Sequence, residues 1–168
     1  MNGEYVTIED MMACRDRRFA IQQKYLAKYK CPVLSFALNI PGPVKTNKQL
    51  HNCFAAATDA INKTLSTMNI SVLESIQFND KTGDELLLCF DGDASLVKNA
   101  MTKLEEEHPL GRLYDIDIIG IDGMKLSRHA FRKCLICDCQ AQECARSRKH
   151  SVEEMQNKIV EMLNEAGL

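Results

Sequence analysis

Asp115 and Asp117 stand two residues apart in the stretch His108-Pro109-Leu110-Gly111-Arg112-Leu113-Tyr114-Asp115-Ile116-Asp117-Ile118-Ile119. Apolar residues lie between and after them, which predicts a strand over residues 112–120. Side chains alternate along a strand, so both carboxylates point to one face. Leu113 is expected to share that face, and Tyr114, Ile116 and Ile118 the other. Two like charges side by side need a cation between them. Mg²⁺, which prefers carboxylate, water and phosphate oxygens, fills that need. Arg112 precedes the pair, and the planar fork of an arginine matches a phosphate. Carboxylates, Mg²⁺ and arginine together point to phosphoryl or nucleotidyl transfer. A bare D-x-D is more commonly a strand end with two solvated aspartates. Asp91-Gly92-Asp93 is such a pair, and it reads as a turn with Asp93 capping the next helix.

A second group of chemically capable residues is Cys134, Cys137, Cys144 and His150. Three thiolates and an imidazole at this spacing suit a tetrahedral Zn²⁺ site, which stabilises a short segment lacking its own core. Reduced cysteines packed near a turn are the alternative, and Cys139 is either a substitute ligand or a bystander. The surrounding segment, 128–150, carries Arg128, Arg132, Lys133, Arg146, Arg148 and Lys149 against Asp138 and Glu143. Such a basic knuckle suits phosphates or an acidic protein, and equally a solvated surface.

The elements around these groups follow from hydrophobic periodicity and caps. Thr7 and Asp10 form a capping box for a helix over residues 8–29, with Ile8, Met12, Phe19 and Leu26 as its apolar stripe. Arg15, Arg18 and Gln22 share another face, either solvated or aimed at an anion. Residues 32–38 read as a buried strand, ending in Pro41-Gly42-Pro43-Val44-Lys45. That turn is stiff, and Gly42 permits close approach of other atoms. Lys45 is within reach of a phosphate or is a plain surface lysine. Leu50, Phe54, Ala57, Ile61, Leu65 and Met68 define a helix over 47–68. Strands over 70–78 and 84–90 flank a hairpin loop, and a helix over 94–107 precedes the D-x-D strand. Gly123 turns the chain into a short partner strand at 124–127. Ser151 and Glu154 box the start of a last helix over 152–166.

The predicted architecture is therefore α+β: one sheet in β-α-β-β-α-β order, ferredoxin-like or nucleotidyltransferase-like, flanked by an N-terminal helix and by a C-terminal Cys/His knuckle plus helix. Residues 1–127 form the α+β catalytic domain, and 128–168 the knuckle and helix packed on the same domain.

Composition narrows the function classes. The chain is 45% hydrophobic and 26% charged, which suits a soluble globular domain. Its net charge of −2 gives no electrostatic reason to expect broad nucleic-acid or membrane binding. The N-terminus has acidic residues where a signal peptide would be basic and then apolar. A cytoplasmic protein with reduced cysteines is expected.

Several separated blocks resemble the CitX family of apo-citrate lyase phosphoribosyl-dephospho-CoA transferases. They are Arg15-Asp16 with Arg18 and Gln22, Ser35-Phe36, Pro41-Gly42-Pro43-Val44-Lys45, His108 through Asp117, Leu126-Ser127-Arg128, Arg132, Cys134-Leu135-Ile136-Cys137, and Cys144-Ala145-Arg146 ending at His150. The family pattern has three cysteines in the last block, so Cys139 goes beyond it. The resemblance covers nearly the whole chain. It implies transfer of phosphoribosyl-dephospho-CoA from 2′-(5″-triphosphoribosyl)-3′-dephospho-CoA to a serine of the citrate lyase acyl carrier protein, with release of pyrophosphate. On that reading Asp115 and Asp117 hold Mg²⁺. Arg112, Lys45, Arg15, Arg18 and Arg128 are candidate phosphate ligands, with Gly42 and Ser127 also lining the substrate. A carboxylate, ahead of His108, takes the serine proton. The knuckle is structural, and its basic residues, Arg146 and Arg148 among them, face the acidic carrier. Two other readings stand beside it: another metal-dependent nucleotidyltransferase, and a zinc-knuckle module binding RNA or protein. Against the last, the strands lack paired exposed aromatics, and aromatic content is only 6%.

Overall fold

The computed structural model describes residues 1–128 and 130–168. In chain order it contains α1 (Ile8–Tyr29), β1 (Val33–Leu38), α2 (Lys48–Thr67), β2 (Ser71–Phe78), β3 (Glu85–Asp91), α3 (Ala94–Glu107), β4 (Tyr114–Ile119), α4 (Ala141–Ser147) and α5 (Val152–Glu165), with a 3₁₀ turn at Gly111–Leu113 before β4. The strands form one sheet in the order β2-β3-β1-β4, with every neighbouring pair antiparallel. The helical connection from β1 to β2 passes over β3, and that from β3 to β4 passes over β1.

The helix starts are those their caps specify. Thr7 accepts from the Asp10 amide while Asp10 accepts from that of Thr7, and Ser151 and Glu154 do the same for α5. Asn47 and Asp93 cap α2 and α3. The stripe of α2 is buried from Leu50 to Leu65, and Phe54 stacks on Phe36 of β1 with ring centroids 4.9 Å apart. Together with Val97 and Met101 of α3 and Ile159 and Leu163 of α5, this stripe covers one face of the sheet.

The opposite face belongs to α1, whose Tyr25 and Leu26 pack on Val33, Leu87, Cys89 and Ile119. The expected α1 stripe is not the one used. Ile8, Met12 and Phe19 are 76%, 57% and 61% exposed, and only Leu26 is buried. The N-terminal half of α1 is held instead by charge: Arg17 and Arg18 both donate to the buried carboxylate of Glu85 on β3. Arg18 is thus committed to Glu85 rather than turned to a free anion.

Three boundaries differ from expectation. Leu113 lies in the 3₁₀ turn with its side chain buried in the core, not on the carboxylate face. Gly111 makes this turn possible, since a Cβ there would stand 2.4 Å from the Glu105 carbonyl oxygen. The expected strand at 124–127 is a single bridge, Lys125 to Ile119. The segment between Cys139 and His150 contains a helix, α4, which its few apolar residues did not announce.

Candidate active site

Register fixes what surrounds the carboxylates. Asp115 pairs with Ala37 and Asp117 with Ser35, and Ala37 pairs in turn with Glu85. One face therefore carries Glu85, Ala37 and Asp115 in a row, with the small side chains of Ala37 and Ser35 leaving the aspartates uncovered. The burial of β4 alternates as expected, with Tyr114, Ile116 and Ile118 inside. β4 is an edge strand, and several of its outward backbone groups are met by other parts of the chain. Arg132 donates to the Tyr114 carbonyl, Glu105 accepts from the Ile116 amide at 2.7 Å, Lys98 donates to the Ile116 carbonyl at 2.9 Å, and the Leu126 amide donates to Ile118. An edge strand left open invites pairing with another chain, and this one is closed by side chains.

Those side chains form the rim of a cleft of about 710 Å³ over Asp115 and Asp117. Lys98, Lys125, Ser127, Arg128 and Arg132 line it. Lys125 pairs with Asp117 at 2.5 Å, and Arg132 approaches Asp115 at 3.6 Å. Arg128 pairs with Glu105. Burial lowers the pKa of Lys98, Arg128 and Arg132, the two aspartates opposing the shift at Arg132 and Lys98. The charges are close enough to feel one another; the two hard carboxylates are donors suited to Mg²⁺, and the cations around them suit phosphate-borne charge.

Arg112 opens into a different space. It lines a neighbouring compartment of about 590 Å³ between β4 and the knuckle, walled by Leu113, Leu135, Val152 and Met155. Asn39 and Arg132 border both spaces. Among the described residues Arg112 meets no carboxylate, and burial, then the charge of Arg132, lowers its pKa.

The remaining sequence candidates lie apart from the aspartates. His108 sits on the α2–α5 side of the sheet, against Tyr114. Its Nδ1 accepts the Leu110 amide at 3.1 Å, so the Tyr114 hydroxyl at 2.8 Å is a donor to the same atom. Burial lowers the pKa of His108. It lies on the far side of the strand from the aspartates, because Tyr114 and Asp115 alternate. Lys45 donates to the Ile40 carbonyl at 2.6 Å and so closes the proline turn. Arg15 is exposed near it, and after burial is the second cause of the lowered Lys45 pKa. Gly42, at φ 85°, makes room for α5, since a Cβ would stand 2.6 Å from Gln156 and 2.7 Å from Val152.

Cys134, Cys137, Cys144 and His150 converge as their spacing indicates, with ligand atoms all within 4.8 Å of one another. Cys137 Sγ is 3.5 Å from Cys144 Sγ and 3.2 Å from His150 Nε2. A tetrahedron with zinc-length bonds has edges of about 3.4–3.8 Å, so the donor set fits a metal ion. Cys139 lies outside it, 3.3 Å from the Lys149 ammonium. The knuckle is tied to β4 by Arg132, two residues before Cys134, which also donates to the Arg112 carbonyl at 3.0 Å.

Lys98, Lys125 and Arg132 escaped notice as site residues. For Lys98 a signal existed: with Glu105 it forms an opposite-charge pair seven residues apart, hence on one helix face, beside the apolar stripe of α3.

A carboxylate pair on an edge strand, ringed by cations and flanked by a Cys/His cluster whose donor atoms could hold a metal ion, suits a transferase of the nucleotidyl type. The sequence matches the family described as CitX, apo-citrate lyase phosphoribosyl-dephospho-CoA transferase, over residues 6–166, and the chain belongs to that family. A Vibrio cholerae protein named "Probable apo-citrate lyase phosphoribosyl-dephospho-CoA transferase" is 36% identical over 165 residues, spanning 95% of this chain and 93% of its own. Proteins of Citrobacter koseri and Escherichia coli named apo-citrate lyase phosphoribosyl-dephospho-CoA transferase are 33% and 31% identical, each spanning 90% of its own length and 96% and 95% of this chain. Among the described residues, no helix is long and apolar enough to cross a membrane.

Proposed function

We propose that this chain transfers the phosphoribosyl-dephospho-CoA group of 2′-(5″-triphosphoribosyl)-3′-dephospho-CoA to a serine of the citrate lyase acyl carrier protein. The serine Oγ attacks the phosphorus nearest the ribose, a phosphodiester forms, the bond to the next phosphate breaks, and pyrophosphate leaves. The observation that carries this reading is the cleft in which Asp115 and Asp117 are ringed by Lys98, Lys125, Arg128 and Arg132. A triphosphate brings several negative charges into one place, and this ring supplies the opposing charge. Asp115 and Asp117 would hold Mg²⁺, which when bound neutralises charge on the departing pyrophosphate. Asp115 is the half-exposed carboxylate of the two and takes the serine proton; Asp117 is held by Lys125. Arg132 and Arg128 orient the phosphates from the opposite wall.

The knuckle holds Zn²⁺ through Cys134, Cys137, Cys144 and His150 in a closed, structural site. Arg146, exposed on α4, faces the acidic carrier. The all-antiparallel pairing supports the ferredoxin-like alternative over a mixed nucleotidyltransferase sheet.

The test is the intact mass of the citrate lyase acyl carrier subunit after incubation with this protein, Mg²⁺ and triphosphoribosyl-dephospho-CoA. A gain equal to phosphoribosyl-dephospho-CoA, with pyrophosphate released, is expected. No gain on a folded, competent carrier overturns the proposal.

A further inference from the structure

A donor of this kind has two polyphosphate groups. One is the triphosphate that reacts. The other is the internal diphosphate of dephospho-CoA, which joins adenosine to the pantetheine arm and takes no part in the chemistry. The structure has two adjoining spaces of different character. The first is the charged cleft over Asp115 and Asp117. The second is the compartment of about 590 Å³ under the knuckle, with apolar walls of Leu113, Leu135, Val152 and Met155, with Arg112 and Arg148 as the cations it does not share with the first, and with Arg132 at the border of the two. Its size is that of small-molecule sites, and its few polar groups among apolar walls are their usual lining.

Neither cation has an ionic partner among the described residues. Arg112 is half-buried between protein walls and pressed by the charge of Arg132. Partly burying a guanidinium without an anion is unfavourable, and an anion entering the space relieves it. Arg132, which borders both spaces, stands at the junction where the two linked riboses between the phosphate groups would pass.

We infer that the compartment beneath the knuckle binds the dephospho-CoA portion of the donor, its diphosphate on Arg112 and Arg148 and its adenine or pantetheine against the apolar walls. This rests on the proposed transfer reaction for the identity of the donor, and it deepens that reading by giving each phosphate group its own side of Arg132. It also gives the knuckle a second purpose. The metal-binding segment is one wall of a substrate subsite, so its fold and donor affinity are linked.

The experiment is calorimetric titration of dephospho-CoA, which lacks the triphosphoribosyl group, into wild type, Arg148→Gly, Val152→Glu and Asp115→Asn. Arg148 has φ 48°, so glycine removes the side chain and suits the backbone. Val152 is 44% exposed and opens α5, where an acidic residue is favoured. Both variants should therefore fold, with thermal melting as the check. Arg148→Gly and Val152→Glu are expected to weaken dephospho-CoA about tenfold or more, the effect of one lost or opposed charged contact. Asp115→Asn should leave it nearly unchanged while weakening Mg²⁺–tripolyphosphate, a probe for the other cleft. Wild-type affinity in both compartment variants, or no binding of dephospho-CoA to wild type at millimolar concentration, overturns the inference. So does a rise in KM for the carrier in Arg148→Gly without a change in dephospho-CoA affinity, which assigns Arg148 to the carrier. The carrier mass assay separates the two claims. Transfer by wild type with dephospho-CoA affinity unaltered in the compartment variants leaves the reaction standing and removes the subsite. Selective loss of affinity without transfer by wild type keeps the subsite and removes the reaction.

Discussion

Glu105 accepts the backbone N–H of Ile116 at 2.7 Å, from a side chain only 3% exposed. Ile116 lies between the two aspartates, so the helix α3 carboxylate fixes the strand that presents them. The other Glu105 oxygen pairs with Arg128, and Lys98 holds the Ile116 carbonyl. Glu105→Ala leaves a buried amide and a half-buried guanidinium without partners. Breaking such a buried arrangement costs about 3 kcal/mol or more, which for a chain of this size lowers Tm by roughly 6–12 °C. Glu105→Gln keeps the acceptor for Ile116 and should lose less. Differential scanning calorimetry of the two variants checks the order, and equal losses would mean that the amide contact matters little.

Asp115 differs from Glu105 in being half-exposed, with Arg132, its nearest cation among the described residues, at 3.6 Å. Its removal should hardly touch the fold. Asp115→Asn keeps the shape, removes the charge, and is expected to lower transfer by roughly 10²–10⁴-fold with Tm unchanged. Carrier mass gain against time reads the first effect. Full turnover in this variant would refute the metal and proton roles given to the pair.

How much of this was legible in the sequence depended on how local the cause was. The caps at Thr7, Asp93 and Ser151 were visible because a cap is decided within four residues, whereas the cap at Asn47 was read as the first residue of its helix. The alternation of Tyr114, Asp115, Ile116 and Asp117 was visible because strand geometry alone sets it. The Cys/His set was visible because sulfur and imidazole at that spacing have few other uses. The seat of α1 was hidden: its longest apolar stripe, Ile8-Met12-Phe19, faces solvent, and the helix is held by Arg17 and Arg18 on a carboxylate far along the chain. The role of Arg132 was hidden for the same kind of reason, since its partners are backbone carbonyls far along the chain; Lys98 left only the trace of its charge pairing with Glu105 on one helix face. Arg112 read as a neighbour of the aspartates because it is close in sequence. The 3₁₀ turn at Gly111–Leu113 instead opens it into the adjoining compartment.

The knuckle should depend on its metal. Cys137 sits at the centre of the cluster, within 3.2 Å of His150 and 3.5 Å of Cys144. Cys137→Ser is expected to abolish bound zinc, and Cys139→Ser, outside the set, to retain it. Elemental analysis of purified protein gives the comparison directly. Because Arg132 links the knuckle to the carbonyls of Arg112 and Tyr114, chelation of wild type should also lower Tm and slow transfer. Zinc retained in Cys137→Ser would show that the cluster is not the site.

His108 supplies a pH test that separates a structural histidine from a base. Its Nδ1 accepts from both Leu110 and Tyr114, an arrangement available only to the neutral ring, and burial lowers its pKa. In the unfolded chain histidine titrates near about 6.5. Between that value and the lower folded one, the unfolded chain binds more protons than the folded chain, so stability falls as pH falls through this window and is fully present above it. Asparagine presents an oxygen where Nδ1 lies and does not titrate. The stability advantage of wild type over His108→Asn should therefore be largest at neutral pH and shrink toward pH 5, as read from Tm across the range. Transfer by His108→Asn should stay close to wild type, since the ring lies on the far side of β4 from Asp115. A stability gap that widens in acid would mean that the folded ring is charged. A large loss of transfer at unchanged Tm would return His108 to the reaction.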